Sequence, residues 1–424
     1  MRKALFLTRY FPPFVTSGAS RAWKFALNLP AYGWEPIVLA PPAISGLEAE
    51  LSGVLPMPEV CRTGPELDVS GFDAWDREEL LLGKGQPAQR PLAARFSGLF
   101  SEDQEGAAWE RSAAAEADRL LSEHPDIEML YAQGPPLQPL TLALEIARRR
   151  HLTVLLDITA PLDPAMPPHG TTRQSAAAKA EEKILLSGLP MITPTRALKE
   201  YFLKKYQGRL PNGLMTIVPS GYDAAHPSFG FLAGGSPSSV MRWVFHVGSL
   251  SKKDFKAFAG GLVEFAKAYG QTPERARLDF IGEGAKELFQ WSAKSALAPM
   301  ISADPGRGLS GELELCRKAD IFCTVSGSAP SEACIVPDRM VDALGMRRPL
   351  CCVAPSGVVE RLVLDAGGLT VLPGDAGRIA EMFGTMTGMW HARSLCGAPD
   401  EILRKHSVGS VLHEMVEAIK LQYV

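Results

Sequence analysis

The sequence predicts an α/β protein built of two doubly wound layers of parallel strands, and three observations carry that prediction. Short apolar runs alternate with amphipathic stretches along most of the chain. Near the middle the alternation breaks in a segment rich in glycine, serine and proline, and then restarts. The 39 glycines and 34 prolines are spread without low-complexity tracts, as many turns between short elements require. A length of 424 residues, 46% apolar and 21% charged, supports two or three globular domains and excludes a disordered or fibrous chain.

The first strand is expected over 3–8. A helix follows from about Ala19, where Ala22, Phe25, Ala26 and Leu29 form one apolar stripe. Gly33 stops that helix and 35–40 reads as the second strand, parallel to the first because such crossovers are right-handed. Residues 41–105 show no sustained period and are expected to be an insertion of loops and small helices. Helices over 107–123, 139–149, 174–187 and 195–206 then alternate with strands over 127–131, 153–157, 190–193 and 215–219, closing a first domain at residue 223. The linker is 224–240. After it come strands over 243–247, 277–281, 321–325 and 350–353, with helices over about 255–269, 286–295 and 311–318, in a second domain over 241–400. A last helix within 401–424, near 408–421, is expected to cross back to the first domain. Ligands of doubly wound sheets sit outside the carboxyl ends of the strands, so two such domains facing each other predict one cleft.

Charge and composition narrow the function. Lys and Arg number 44 against 47 Asp and Glu, for a net charge of −3, which leaves no global positive field for nucleic acid. No apolar run approaches the ~20 residues that span a bilayer, and the apolar opening, broken by Arg9 and two prolines, reads as a strand rather than a signal peptide. The seven cysteines contain no CxxC pair, and Cys351 and Cys352 lie in an apolar strand. A cytoplasmic location, no metal and no cofactor are expected.

Three loops could carry chemistry. After the first strand, Ser17, Gly18 and Arg21 open a helix whose free N–H groups favour an anion or a hydroxyl. After the strand over 243–247, Gly248 and Ser249 precede Lys252 and Lys253, a combination that suits a diphosphate. Gly282-Glu283-Gly284 occupies the equivalent place after the next strand. Further on, Pro337 suits a first helical turn, and Arg339 and Asp342 share one face, as a phosphate and a ribose would need or as an ordinary surface ion pair would show. Asp157 stands at a strand's carboxyl end.

Six segments in order resemble the nucleotide-sugar glycosyltransferases of the GT-B fold, and among them the retaining family 4. They are Tyr10-Phe11-Pro12-Pro13 with Ala19-Ser20-Arg21, Gly33 to Leu39, Ile192 to Thr195 with Ala197-Leu198-Lys199, Ile217 to Asp223, Ala319 to Phe322, and Val336 to Ala343, within a resemblance running from residue 1 to about 385. The resemblance implies two Rossmann-like domains facing across a cleft, with the acceptor on the first and the nucleotide sugar on the second. It implies transfer of a sugar from a nucleotide diphosphate sugar to a glycan, lipid-linked or small acceptor, with retention, as in bacterial polysaccharide biosynthesis. It leaves peripheral membrane contact open, although no basic stripe marks one. By the same likeness Lys252 or Lys253 and Arg339 would offset the charge of the departing diphosphate. Asp342 would accept ribose hydroxyls, Gly248, Gly282, Glu283, Gly284, Ser249 and Pro337 would border the nucleotide, and Asp157 would bind acceptor or act as base.

The sequence departs from the family pattern where two glutamates are usual. Counting back from Asp342, the first position holds Cys334, and the nearest carboxylate is Glu332. The Asp-x-Arg-Asp-x-Trp segment is here Asp157 to Leu162, without arginine or tryptophan. Two alternatives therefore stand beside the transferase: a catalytically weakened protein of the same fold that binds a nucleotide sugar or a partner transferase, and a nucleotide-sugar 2-epimerase.

Overall fold

The computed structural model describes residues 1–42, 44, 57–64, 69, 72–83, 102–163, 176–224, 239–302, 305–306 and 308–423. Residues 225–238 of the expected 224–240 linker and much of the 41–105 excursion lie outside the described residues. The chain divides into two compact units, Met1–Ser220 with Val408–Val424, and Gly221–Ser407.

The first unit is built on seven parallel strands among the described residues: β1 (Arg2–Leu7), β2 (Trp34–Ala40), β3 (Glu59–Arg62), β4 (Ile127–Gly134), β5 (Thr153–Ile158), β6 (Met191–Thr193) and β7 (Met215–Ile217). Their order is β3-β2-β1-β4-β5-β6-β7. Ala4, Leu5, Phe6 and Leu7 are all fully buried, as continuous apolar strands covered on both faces must be. Phe6 stacks on Tyr131 with ring centroids 4.2 Å apart. The first helix, Ser17–Asn28, starts earlier than its apolar stripe suggests, because the Thr16 hydroxyl accepts from the Ala19 N–H at 3.1 Å and caps it. Within the 41–105 excursion, Glu59–Arg62 joins the sheet as its edge strand beside β2, and Ala74–Leu81 is a helix. A four-residue, half-exposed edge strand is too short to show a period.

The second unit carries β8 (Met241–Val247), β9 (Ala276–Ile281), β10 (Ile301–Ser302), β11 (Ile321–Val325), β12 (Leu350–Val353) and β13 (Leu369–Val371), all parallel, in the order β10-β9-β8-β11-β12-β13. Trp243 and Phe245 on β8 meet Phe383 edge-on at 5.2 and 5.6 Å, and Phe245 meets Phe258 at 5.8 Å, an aromatic core under the sheet. Phe258 and Phe383 belong to helices Lys252–Ala268 and Ala376–His391, which approach so closely that a Cβ on Gly261 would stand 2.6 Å from Ile379. The Lys252–Ala268 helix begins three residues before the expected start, capped by Ser251, whose hydroxyl accepts from the Asp254 N–H at 3.2 Å.

Where the chain enters and leaves this unit, the Tyr222 N–H donates to the His406 carbonyl at 2.9 Å. The following helix, Val408–Tyr423, belongs to the first unit: it packs on Ser17–Asn28, buries Val411, Leu412 and Met415, and receives the Tyr32 hydroxyl on the Gly409 carbonyl at 2.5 Å. No helix among the described residues is long and apolar enough to cross a membrane.

Candidate functional site

Strand order reverses between β1 and β4 in the first unit and between β8 and β11 in the second. At such a point the connections leave in opposite directions and open a crevice at the carboxyl ends of the strands, which is where ligands of doubly wound sheets bind. Each candidate residue can be placed against these two points.

In the second unit, Gly248 follows β8 and its N–H donates to the Val325 carbonyl at 2.8 Å, so β8 and β11 stay together to their ends. A Cβ on Gly248 would lie 3.4 Å from Glu332 Oε2, which puts that carboxylate at the reversal point. Gly282 has φ +89°, and a Cβ there would stand 2.8 Å from the Val247 carbonyl; one on Gly284 would stand 2.7 Å from the Gly248 carbonyl. These two glycines are required by the neighbouring backbone, so their close approach is already used within the protein. Ser249, Glu283, Lys252 and Lys253 are exposed.

The lysines share their helix start with Asp254, whose carboxylate accepts from the Ser328 N–H at 3.0 Å and from the Ser251 and Ser328 hydroxyls at 2.8 and 2.9 Å. Burial pushes the Asp254 carboxyl up, and these hydrogen bonds, with Lys253 nearby, outweigh it and hold the group below its usual value. Lys253 thus has one fixed negative charge near it. Glu332 behaves oppositely: burial first, and the Glu283 carboxylate second, push its carboxyl up to about 7 against a hydrogen bond from Ser326. Burial raises the Cys334 thiol, which removes it as a thiolate nucleophile at neutral pH.

Pro337 is the residue before helix Asp338–Gly345, which carries Arg339 and Asp342. The two form an ion pair, Nη1 to Oδ2 at 2.8 Å, with Glu312 Oε2 a further 3.5 Å from Arg339 Nε. Neither is on the surface: Arg339 is 2% and Asp342 0% exposed, so the pair is not the ordinary surface ion pair that the spacing also allowed. Burial works against the Arg339 charge, but Asp342 and then Glu312 more than restore it and raise the guanidinium further. The neighbouring His246 is pushed down to about 4, by burial and then by Arg339, and is neutral at pH 7. The Arg339 nitrogens are neutralised by charge yet none has an aligned hydrogen-bond acceptor among the described residues.

In the first unit, Thr8 follows β1 and its hydroxyl donates to the Tyr10 carbonyl at 2.7 Å. Gln133, near the end of β4 and 2% exposed, lies across the reversal from it, with Thr8 Oγ1 3.4 Å from Gln133 Oε1. Gly18 lies close beneath, since a Cβ there would be 3.2 Å from Gln133 Oε1, and Ser17 beside it is half-buried. Arg21 is 2% exposed and donates to Asp157 Oδ2 at 2.7 Å and to the Val218 and Pro219 carbonyls at 2.8 and 2.7 Å, its guanidinium lying 4.4 Å from the centre of the Phe25 ring. The Tyr131 hydroxyl donates to the same Asp157 oxygen. Asp157 is fully buried at the carboxyl end of β5. Burial, and then the Asp157 charge, drive the Tyr131 phenol well above its usual value against Arg21. Arg21, Asp157 and Tyr131 tie the first helix, β4, β5 and the segment after β7 together. Ser17, Gly18 and Gln133 lie at the reversal point, with Gln133 Nε2 3.4 Å from the Tyr131 hydroxyl.

The sequence reading missed Gln133 and Tyr131, and a polar pair inside a buried apolar strand was the available signal. Among the described residues no group of three or more His, Cys, Asp and Glu has the arrangement of a metal site.

Two all-parallel, doubly wound units, each with its polar residues at the strand reversal, define an α/β protein of the GT-B type. No family model matches the sequence, and the curated proteins give no significant match. Solved structures do. Anabaena HepE in complex with UDP and glucose is similar with a TM-score of 0.64 at 14% identity, over 99% of this chain and 100% of that one. A glycosyltransferase from Rickettsia africae has a TM-score of 0.61 at 13% identity, over 100% of this chain and 99% of that one. Sucrose-phosphate synthase from Thermosynechococcus elongatus has a TM-score of 0.61 at 13% identity, over 100% of this chain and 97% of that one. At such identities the likeness establishes the fold.

Proposed function

We propose that the chain is a glycosyltransferase that takes a nucleotide diphosphate sugar as donor on its second unit and an acceptor on its first. The observation that carries this reading is the whole-chain likeness to a protein solved with UDP and glucose, joined to a second unit whose reversal point presents exposed Ser249, Lys252, Lys253 and Glu283 with Glu332 beside Gly248. The near-neutral chain needs positive charge only locally, and the two lysines are the exposed cations at the end of β8.

The chemistry then asks for electrostatics more than for acid and base. A departing diphosphate gains negative charge, and cations placed beforehand lower that barrier. Lys252 and Lys253 would supply them against the opposing Asp254. A protonated Glu332 removes one repulsive carboxylate from the site and offers a hydrogen bond instead. Arg339 would add donors that its ion pair leaves unaligned, and Asp342 would receive a ribose hydroxyl by sharing its carboxylate with Arg339. On the first unit, Ser17, Gly18 and Gln133 would meet the acceptor, while Arg21 and Asp157 hold the helix start that presents them. Retention of configuration and a glycan, lipid-linked or small acceptor follow from the sequence resemblance.

The buried Arg339–Asp342 pair and Cys334 in place of a carboxylate favour a second reading, a protein of this fold that binds the nucleotide sugar with little turnover. Incubation with a panel of UDP-, GDP- and dTDP-sugars, with released nucleotide and sugar products followed by chromatography, separates the readings. Nucleotide release or sugar transfer supports the transferase, binding without either supports the second reading, and interconversion of the intact sugar nucleotide overturns both in favour of an epimerase.

A further inference from the structure

The first unit also has a groove at the other end of its sheet, near the amino-terminal ends of β5, β6 and β7. It has a volume of ≈ 670 Å³ and is bounded by helices Leu137–Arg149 and Ala176–Leu185 and by the turns before β6 and β7. That is within the size of small-ligand sites. Leu144, Leu186 and Leu189 give it an apolar floor, and Arg148, Lys179, Lys183 and Arg209 give it a cationic rim.

Helix ends explain part of this charge. Arg148 and Lys183 sit in the last turns of their helices, where cations offset the macrodipole. Lys179 lies a turn earlier, and Arg209 arrives from a separate segment, so the dipoles do not account for the set. Among the described residues the one rim carboxylate, Glu182, pairs with Arg209 at 2.6 Å. Arg148, Lys179 and Lys183 have no ionic partner among the described residues. Four cations less one carboxylate, less about half a charge for each of two helix ends, leave roughly two positive charges, close to the charge of a phosphate monoester.

We propose that this groove binds a phosphate ester, its anion held by Arg148, Lys179 and Lys183 and its organic part on the leucine floor. The site stands apart from both strand-reversal points and does not depend on the transferase reading. The phosphate can belong to a membrane lipid headgroup or to a soluble metabolite. Three segments far apart in sequence supply the cations, so no basic stripe announces them.

The test uses the full chain and the variant Lys179→Glu/Lys183→Glu, with Lys179→Ala/Lys183→Ala as a milder companion should the first fold poorly. Two probes are applied: vesicles of phosphatidylcholine with and without phosphatidic acid, by co-sedimentation, and glycerol 3-phosphate, by calorimetry. The wild type should bind at least one phosphate-bearing probe in a salt-sensitive way. Charge reversal should weaken that binding by about thirtyfold or more while the response to UDP is unchanged. Vesicle binding that glycerol 3-phosphate does not displace assigns the lipid headgroup, and binding of glycerol 3-phosphate in solution assigns the soluble ester. Failure of the wild type to bind either probe at low salt, or equal binding by both folded variants, overturns the proposal.

Discussion

Glu332→Gln should stabilise the protein above neutral pH and do little below pH 5. The Glu332 carboxyl is held up to about 7 where an ordinary glutamate titrates at 4.5, with burial the larger cause and Glu283 the smaller. As pH rises between those values the unfolded chain releases this proton and the folded chain keeps it, so the folded state binds more protons and loses stability with pH. The penalty is complete above about 7 and absent below 4.5. Each unit of displacement is worth about 1.4 kcal/mol, which with a small discount for partial exposure gives about 2–3 kcal/mol at pH 8. Glutamine keeps the shape and cannot ionise. Urea unfolding of both proteins at about pH 5 and pH 8 measures the difference, and the other carboxylates cancel because both chains carry them. The variant should gain about 2–3 kcal/mol over the wild type between the two pH values. A gap that does not change with pH, or one that shifts against the variant, refutes the reasoning. Glu283→Gln should recover the smaller part of the effect.

Arg21→Ala leaves Asp157 buried without its cation and should cost about 3–5 kcal/mol in denaturant unfolding; a variant that is fully stable but impaired only in acceptor use would contradict the anchoring role. Asp342→Asn removes the nearer partner of buried Arg339 and should likewise cost about 3–5 kcal/mol while also weakening nucleotide binding, and a stable variant with unchanged nucleotide affinity would contradict both statements. Gly282→Ala must place a Cβ at positive φ, 2.8 Å from the Val247 carbonyl, and should lower thermal stability by about 1–3 kcal/mol; an unchanged melting temperature would show that the loop has room.

The strands that build the two reversal points are legible in the sequence because they are short, fully buried apolar runs that stop at glycine or polar residues. β10 and β13 are not, being two and three residues long with half-exposed members. Helix Ala376–His391 escapes for another reason. Gly377, Gly384 and Gly388 read locally as breakers, yet a Cβ on Gly384 would overlap the Tyr269 ring, so glycine there permits close packing that only the fold reveals. Helices Val358–Asp365 and Asp400–Lys405 also stand beyond the sequence reading. The site residues divide in the same way. Exposure of Lys252 and Lys253 follows from their place after a strand and before an apolar stripe. The burial of Arg21 and Asp157 does not, because their partnership spans 136 residues, and Arg339 is buried by Glu312 from a different helix as well as by its own. Charged residues at strand ends read alike in sequence whether they face solvent or one another.

The central claim is that the second unit binds a nucleotide diphosphate at the ends of β8, β9 and β11. Calorimetric titration of the full chain with UDP, GDP and dTDP, repeated on Lys252→Ala/Lys253→Ala, tests it most directly. One of the three nucleotides should bind the wild type, and the double variant should lose about tenfold or more in affinity without loss of fold. Absence of binding by all three, or binding that the folded double variant retains in full, would contradict the account.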